Sequence, residues 1–373
     1  MHGPVSGTVT VGGRPYAVSK DRATRGREPA GLLAMADLDS NNVRNPQTFF
    51  AAVNQFETTF NWPYIDNRNV AYFSSGRLPV RAPGTDPSLP TLGTGQYDWR
   101  GFLTRDQHPH AVVSRSGVLL NWNGKPAPGW GAADNNWDLG SVQRVQLFRG
   151  FKRRNRLQDV ASIMNRAATQ DFRAIQIWPT IRRVLNTAAP PDALTGQAAA
   201  LVDAWRARGA SRLDRDLDGR IDDPGAAVMD AAFPGLALAV LDPALGPLAE
   251  PGGLYATMHK PDNFPSSSGS SFGDGWYEYV DKDLRTLLGD RVQGRFSRRY
   301  CGNGDRAACA TALWAALRSA ASGLAAQQGA DPNQWHADAT KERIKFIPGL
   351  IPNTMRWTNR STFQQAIEFG GHR

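Results

Sequence analysis

The order in which two kinds of hydrophobic periodicity follow each other is the strongest constraint on the fold of this chain of 373 residues. In its first part, short segments alternate between apolar and polar residues, which is typical of strands with one buried face. In its second half, apolar residues recur every three or four positions, which is typical of helices. Strands followed by helices predict an α+β fold with antiparallel strands and a large helical C-terminal region.

Five strands are predicted in the first part. A hairpin is expected over 4–22, because residues 5–11 alternate and the Gly12-Gly13 pair marks a turn. Strands over 60–65 and 69–73 flank a second turn at Asp66 and Asn67. A short apolar strand is expected over 117–123.

Helices account for most of the remaining predictions. Asn45 is a good N-cap and Pro46 suits the first turn, so a helix is expected over 45–56. Further helices are expected over 141–151, 158–168, 171–185, 198–207 and 307–324. Segments 77–101 and 251–275 are rich in Pro, Gly and small polar residues and are expected to be loops. We therefore predict a sheet region over 1–140 and a helical region over 141–373.

Composition and charge argue against several classes of protein. With 41% hydrophobic and 21% charged residues, the chain is expected to be globular. The net charge is +9, but basic and acidic residues are interspersed, so no nucleic-acid partner is expected. No membrane partner is expected either, because the apolar segment 226–248 is interrupted by Asp230, Pro234, Asp242 and Pro243. Residues 1–20 show no apolar core of a signal peptide.

Two cysteines, Cys301 and Cys309, lie close together in the sequence. They can form a local disulfide, which would indicate an oxidising compartment, or remain two unlinked thiols.

The segment 214–222 matches the start of a calcium-binding loop of the EF-hand type. Asp214, Asp216, Asp218 and Asp222 occupy positions 1, 3, 5 and 9, and Gly219 occupies position 6. Position 12 is Gly225 instead of Glu, so the usual bidentate ligand is absent. The alternatives are a structural Ca²⁺ site and an acidic turn that needs no ion.

Other signals for chemistry are weak. His108 and His110 form a close pair, which is expected to lie on the surface and not to hold a metal. In the segment 121–126, an Asn at the end of a strand can point an amide N–H into a cleft and stabilise an oxyanion, although Asn in such places usually forms a turn.

Five segments, in the same order along the chain, resemble the C-terminal part of the β-chain of the penicillin acylase family of N-terminal-nucleophile (Ntn) hydrolases. The family motifs are Arg-x-x-His-Gly-Pro, Asn-Trp-x-x-Ala-Asp-x-x-Gly-Asn-Ile-x-Tyr, Arg-x-Pro with Gly-x-Gly-x-x-Asp-Trp-x-Gly, Asn-Trp-Asn-Asn-x-Pro, and a C-terminal signature. Their counterparts are His2-Gly3-Pro4, Asn61-Trp62 with 66–72, Arg77-Leu78-Pro79 with 93–101, Asn121-Trp122-Asn123-Gly124-Lys125-Pro126, and 359–365. The resemblance implies part of an Ntn αββα core over 1–140, to which the helical region returns at its C-terminal end.

The resemblance also implies a reaction and residues for it. Family members cleave an amide with a Ser that is the first residue of the β-chain and whose own α-amino group is the base. The family's oxyanion Asn falls on Asn123, and an Arg that lines the site falls on Arg144. A family calcium site would use the carbonyl of Pro87 and the carboxylate of Asp134, with its other ligands in a preceding segment.

One family element has no counterpart here: the nucleophilic Ser would precede Met1, and Ser6, in the middle of a predicted strand, is rejected as a substitute. We therefore expect a partner segment that supplies the Ser, and an inactive isolated chain. The family and the pair of Cys301 and Cys309 imply an extracellular or periplasmic location. The origin of such a chain as a gene fragment or as half of a split enzyme stays open. The substrate could be a β-lactam, an acyl-homoserine lactone or a lipopeptide. The alternative function is a calcium-stabilised extracellular binding module without catalysis.

Overall fold

The structure is a computed structural model, and it describes residues 2–85, 90–114, 117–122, 124–130, 144–152, 155–249, 277–292, 298–340, 344–345, 350, 354–355 and 365–368. Two compact units divide the chain. The first comprises Met1–Trp137, Phe151–Arg154 and Ile367–Arg373, and the second comprises Asp138–Gly150 and Asn155–Ala366. The division at residue 140 into two domains stays a prediction.

The predicted hairpin near the start of the first unit is confirmed. β1 (Val5–Val11) pairs antiparallel with β2 (Arg14–Ser19). Gly12 and Gly13 form the turn with φ angles of 57° and 77°, a left-handed conformation that suits glycine and matches the twist of the strands. Most side chains of the hairpin are exposed, including three valines of β1.

Two helices follow the hairpin. α2 (Pro46–Val53) is the predicted helix, and the Asn45 side chain caps it by accepting a hydrogen bond of 2.9 Å from the backbone N–H of Thr48. α1 (Gly31–Asp39) was not predicted, because its apolar residues do not share one buried face. It buries only Ala34, whereas Leu32, Leu33 and Met35 are exposed.

A three-stranded antiparallel sheet supports α2. Its strands are β3 (Asn61–Ile65), β4 (Asn69–Ser74) and β5 (His110–Ser114), in the order β3-β4-β5. One face carries Ala71 and Phe73, which pack against Phe49, Phe50 and Val53 of α2 and form the core of this unit. The opposite face carries Asn61 and Tyr72.

The strand predicted over 117–123 is wrong for residues 117–122, which have no regular structure, while β5 was not predicted. A Cβ on Gly117 would lie 1.8 Å from a methyl carbon of Val113, so the chain passes β5 at a distance that only glycine permits. The apolar residues that suggested a strand, Val118 and Leu120, are exposed.

The second unit is mainly helical. Its helices are α3 (Leu157–Thr169), α4 (Trp178–Leu185), α5 (Ala193–Ala207), α6 (Pro224–Leu245), α7 (Tyr277–Leu287) and α8 (Arg306–Gln328). A π-helical turn, Arg173–Ile177, precedes α4, and β6 (Ile344–Lys345) pairs with β7 (Thr354–Met355). The helices predicted over 158–168, 171–185, 198–207 and 307–324 are confirmed. The segment 141–151 contains a short 3₁₀ helix, Arg144–Phe148, within its described residues.

The core of this unit forms around α6 and α8. A Cβ on Gly235 of α6 would lie 3.6 Å from the Cβ of Ala316 on α8, so small residues allow the two helices to approach closely. Beside α6, the wholly buried carboxylate of Asp171 binds Arg173 and Arg212. Both guanidinium groups also bind Asp230 of α6, which ties the π-helical turn to this helix.

The apolar segment that the sequence shows as interrupted is one continuous helix, α6, as far as Leu245. By length and composition alone, Pro224–Leu248 could cross a membrane, and 61% of its most apolar window is buried inside the protein. Burial of that extent is typical of a core helix.

Cys301 and Cys309 form a disulfide, with their Cα atoms 5.0 Å apart. The structure thus contains the first of the two alternatives that the sequence left open. The carboxylate of Asp283 on α7 accepts hydrogen bonds from the backbone N–H groups of Tyr300 and Cys301, at 2.8 and 2.9 Å. Burial raises the pKa of this carboxyl group above its usual value.

Candidate functional site

Most residues to which the family resemblance assigns a role in catalysis or calcium binding lie outside the described residues. Asn123, Pro87 and Asp134 are outside the described residues. The backbone of Arg144 begins the short 3₁₀ helix Arg144–Phe148, and nothing is described of its side chain. Their roles therefore stay predictions. The geometry of the site is known from the residues around Asn123.

Gly124, which directly follows Asn123, is anchored to the sheet. The side-chain amide of Asn61 on β3 donates a hydrogen bond of 3.0 Å to the carbonyl oxygen of Gly124. Gly124 is buried, so this carbonyl group needs a protein partner. The contact joins two residues that are 63 positions apart in the sequence.

Asn61 is itself held by β4. The hydroxyl group of Tyr72 donates to the side-chain oxygen of Asn61 at 2.5 Å. Tyr72 is buried, and burial raises the pKa of its phenol well above the usual value, so the hydroxyl keeps its proton at neutral pH. A chain of hydrogen bonds thus runs from Tyr72 through Asn61 to Gly124.

The start of β3 is fixed by a second buried contact. The indole N–H of Trp62 donates to the hydroxyl oxygen of Ser75 at 2.9 Å, and that hydroxyl donates to the carbonyl oxygen of Thr58 at 2.8 Å. Phe56 stacks on Trp62 with ring centroids 4.4 Å apart. These contacts limit the movement of the strand that carries Asn61.

The turn between β3 and β4 is held by Asp66. Its carboxylate accepts hydrogen bonds from the backbone N–H groups of Arg68 and Asn69, both at 2.6 Å, and from the Tyr64 hydroxyl at 2.8 Å. Burial opposes ionisation of Asp66, but these hydrogen bonds outweigh it and lower its pKa to about 2. Burial and the neighbouring carboxylate raise the pKa of Tyr64 to about 12.

The expectation that the His108 and His110 pair lies on the surface is wrong for His108. This residue is 4% exposed, and its Nδ1 lies 2.8 Å from the carbonyl oxygen of Ser74. Its ring stacks on Phe73 at a centroid distance of 5.5 Å. His108 thus belongs to the packing of the sheet.

The acidic loop of the second unit brings three of its four predicted ligands together. Oxygens of Asp214, Asp216 and Asp218 all lie within 4.8 Å of one another. Asp214 is buried and accepts a hydrogen bond of 3.1 Å from the backbone N–H of Gly219, which has a φ of 90°. Among the described residues, these three carboxylates form the cluster of carboxylate, imidazole or thiol groups that could hold a metal ion.

Asp222, the fourth predicted ligand, is not part of this group, and its carboxylate binds the guanidinium group of Arg215. Position 12 of the loop has a steric reason to be glycine. A Cβ on Gly225 would lie 2.5 Å from the Cβ of Trp205 on α5, so no larger residue fits there without a shift of the backbone.

A cavity of about 330 Å³ borders the acidic loop. Asp216, Asp218 and Asp222 line one side, and Asn333, Gln334 and His336 line another. Two backbone hydrogen bonds of 2.9 Å, from Ile221 to Ala337 and from Ala339 to Gly219, join the loop to the segment after Gln334. The second half of the loop is therefore held by backbone contacts.

The sequence profile of the penicillin amidase family matches residues 1–369, which is almost the whole chain. The chain belongs to the penicillin amidase family. The match includes both the Asn61-Trp62 hairpin and the segment around Gly124, so the family assignment rests on the same residues as the site geometry.

Comparisons with individual relatives agree with this family. Penicillin G acylase from Escherichia coli is 32% identical over 187 residues, which are 49% of this chain and 22% of that protein. The acyl-homoserine lactone acylase QuiP from Pseudomonas syringae pv. tomato (strain ATCC BAA-871 / DC3000) is 29% identical over 117 residues, which are 31% of this chain and 12% of that protein.

The solved structure of a thermostable penicillin G acylase from Alcaligenes faecalis superposes with a TM-score of 0.68 at 23% identity. It covers 97% of this chain, and the chain spans 64% of it. The α+β fold is thus that of penicillin G acylase, which confirms the predicted fold class. The chain spans less than two thirds of the length of each of these relatives.

The sequence does not reveal the hydrogen-bond partners of Asn61 and Tyr72. Both lie in the hairpin motif that carries the family resemblance, but the motif alone assigns them no partner. The available signal was an Asn at the start of an otherwise apolar strand.

Proposed function

We propose that the chain is the C-terminal portion of an amidohydrolase of the penicillin acylase type, which cleaves an acyl group from an amide by attack of an N-terminal Ser that this chain does not contain. The observation that carries the proposal is the family match over residues 1–369, which includes the segment around Asn123. The alternative of a calcium-stabilised binding module has no comparable support.

In the proposed reaction, the Ser oxygen bonds to the amide carbon and its proton passes to the α-amino group of the same Ser. An α-amino group has a pKa of about 8, so it can accept a proton near neutral pH. The carbonyl electron pair moves onto the oxygen, and the side-chain N–H of Asn123 donates to this oxyanion. The C–N bond then breaks, the amine leaves with the proton, and water hydrolyses the resulting ester to the free acid.

Arg144 is proposed to form part of the wall of the acyl site. The names of the relatives support β-lactams and acyl-homoserine lactones as substrate classes, and a lipopeptide is a third. A preceding polypeptide is the proposed partner, because the chain spans 64% of the solved relative. The disulfide supports an extracellular or periplasmic location.

We also propose that calcium stabilises the protein without taking part in the reaction. Asp134 and the carbonyl of Pro87 would contribute to one site. Asp214, Asp216 and Asp218 would form another, because hard carboxylate oxygens within 4.8 Å of one another suit Ca²⁺. The fit of this second donor set is partial, since Asp222 faces Arg215 and position 12 is glycine.

The function is tested with chromogenic anilides that carry a phenylacetyl or a long-chain acyl group. We expect no turnover by the purified chain and turnover by the chain co-expressed with a nucleophile-bearing N-terminal segment. In that complex, Asn123→Ala should lower kcat by about 10²–10³-fold, as the loss of an oxyanion donor does.

The matched control is Asn67→Ala, which changes an exposed Asn of the turn between β3 and β4. It should leave kcat within about twofold, the scatter expected of surface changes. Turnover by the chain alone would place the nucleophile inside these residues. A folded complex that cleaves none of the amides would refute the amidohydrolase assignment.

A further inference from the structure

The hydrogen bond from Asn61 to Gly124 has a consequence for catalysis, because Gly124 is the residue that follows Asn123. The oxygen that accepts this bond belongs to the peptide unit between Gly124 and Lys125, one residue beyond Asn123. An oxyanion donor contributes only when its N–H is already oriented toward the developing charge. The backbone on either side of such a donor must therefore be fixed.

Asn121 is a weaker donor to this carbonyl than Asn61. The side-chain amide of Asn121 lies 3.5 Å from the same oxygen, at the outer limit for a hydrogen bond. Asn61, at 3.0 Å, makes the shorter contact. Because Gly124 is buried, loss of the Asn61 donor would leave a strong acceptor poorly paired.

Asn61 is in turn oriented by Tyr72. An Asn side chain can rotate about its χ2 bond and exchange its oxygen and nitrogen positions. The hydroxyl of Tyr72 donates to the oxygen, which turns the NH₂ group toward Gly124. The sheet pairs Pro63 with Tyr72 and Asn61 with Ser74, so the side chains of Asn61 and Tyr72 lie on the same face.

We infer that Asn61 is a positioning residue for amide hydrolysis, which holds the carbonyl group of Gly124, the residue after Asn123, in place and is itself oriented by Tyr72. The inference rests on the proposed function. Asn61 does not touch the substrate, and it acts through Asn123. Its removal should therefore impair the chemical step more than substrate binding.

A double-mutant cycle in the complex with the nucleophile-bearing segment tests this inference. We expect Asn61→Ala to lower kcat by about 10–100-fold, because a displacement near 1 Å can cost about 100-fold in rate. KM should change by less than about threefold. In an Asn123→Ala background, Asn61→Ala should lower kcat no further, since residues that act through one another are not additive.

The matched control is Asn69→Ala, which removes a half-buried Asn on the neighbouring strand. It should leave kcat within about twofold, as expected of a change away from the site. Asn61→Asp is isosteric, keeps the acceptor for Tyr72 and removes the donor to Gly124, so it should lower kcat as Asn61→Ala does. It provides the same measurement if Asn61→Ala does not fold. Tyr72→Phe should lower kcat by a smaller factor.

A second readout does not depend on activity. In the full chain alone, hydrogen exchange of the backbone amides of residues 123–125 should be at least about tenfold faster in Asn61→Ala than in the Asn69→Ala control, because a lost anchor raises local opening. Equal exchange in the two variants would overturn the inference.

The kinetic outcomes separate the two proposals. If losses from Asn61→Ala and Asn123→Ala multiply in the double variant, Asn61 does not act through Asn123 and the positioning role is wrong. If Asn123→Ala alone leaves kcat unchanged, the proposed oxyanion role fails first, and the positioning role fails with it.

Discussion

The indole N–H of Trp314 on α8 donates a hydrogen bond of 3.1 Å to the backbone carbonyl oxygen of Leu185, the last residue of α4. The two residues are 129 positions apart. The last carbonyl groups of a helix have no partner within the helix, so a buried donor from another helix satisfies one of them. This contact joins the C-terminal end of α4 to the middle of α8.

Trp314→Phe should destabilise the second unit. Loss of the donor and of the larger ring is expected to lower the free energy of unfolding by about 1–3 kcal/mol, because Trp314 is buried. Urea unfolding followed by circular dichroism at 222 nm measures the difference. Trp99→Phe is the control, because Trp99 is only half-buried and should lose less than half as much. Equal losses would contradict the structural role of the indole contact.

The cap of α2 gives a second prediction. Asn45 accepts from the backbone N–H of Thr48, and the Thr48 hydroxyl lies 3.2 Å from the backbone N–H of Asn45. Asn45→Ala should lower the free energy of unfolding by about 1 kcal/mol, the usual cost of a lost N-cap. Asn45→Asp, which keeps the accepting oxygen, should lose much less in the same urea titration. Similar losses in both variants would show that the cap is not the cause.

Features that depend on neighbouring residues were predictable from the sequence. The cap at Asn45 and the hairpin turn at Gly12 and Gly13 are set by residues within four positions of each other. The long helix α8 shows its apolar spacing without reference to the rest of the chain. The fold class follows from the same local patterns and from the family motifs.

Features that depend on distant contacts were not predictable. The bond between Asn61 and Gly124 spans 63 positions and needs the sheet to exist before it can form. α1 has no buried apolar stripe that would reveal it, since it buries a single alanine. Asp222 fits the calcium-loop spacing, but its neighbour Arg215 binds it in the structure. Spacing shows which residues could meet, and competing partners decide which of them do.

The buried ionic cluster predicts a loss of stability in acid. Burial would raise the pKa of Asp230, but the guanidinium groups of Arg212 and Arg173 outweigh it and lower the pKa from 3.8 to about 2. The folded state therefore holds this proton less tightly than the unfolded state. The resulting stability is fully present above the unfolded pKa of 3.8 and is lost as the pH falls from there toward 2.

We expect the Asp230 carboxyl group to lower the free energy of unfolding by about 1–2 kcal/mol between pH 5 and pH 2.5. This range allows for the exposed third of its side chain, where solvent weakens the ion pairs. Asp230→Asn should be less stable at pH 5 and lose less of its remaining stability in acid. Urea titrations at the two pH values measure both effects. Asp106→Asn, an exposed control, should show the same acid-induced loss as the unchanged protein. An unchanged loss in Asp230→Asn would argue that other carboxylates cause the acid sensitivity.

Calcium should raise the melting temperature of the chain, and EDTA should reverse the effect. A ligand present at 100 times its Kd stabilises the folded state by about 2.7 kcal/mol. Asp216→Asn removes one of three clustered carboxylates and should abolish the part of the shift that arises from the acidic loop. Asp134→Asn should abolish the part that arises from the second proposed site. Asp106→Asn, exposed like Asp216 but outside both sites, is the control and should keep the full shift. If Asp216→Asn responds to calcium as the control does, the loop is an acidic turn that needs no ion.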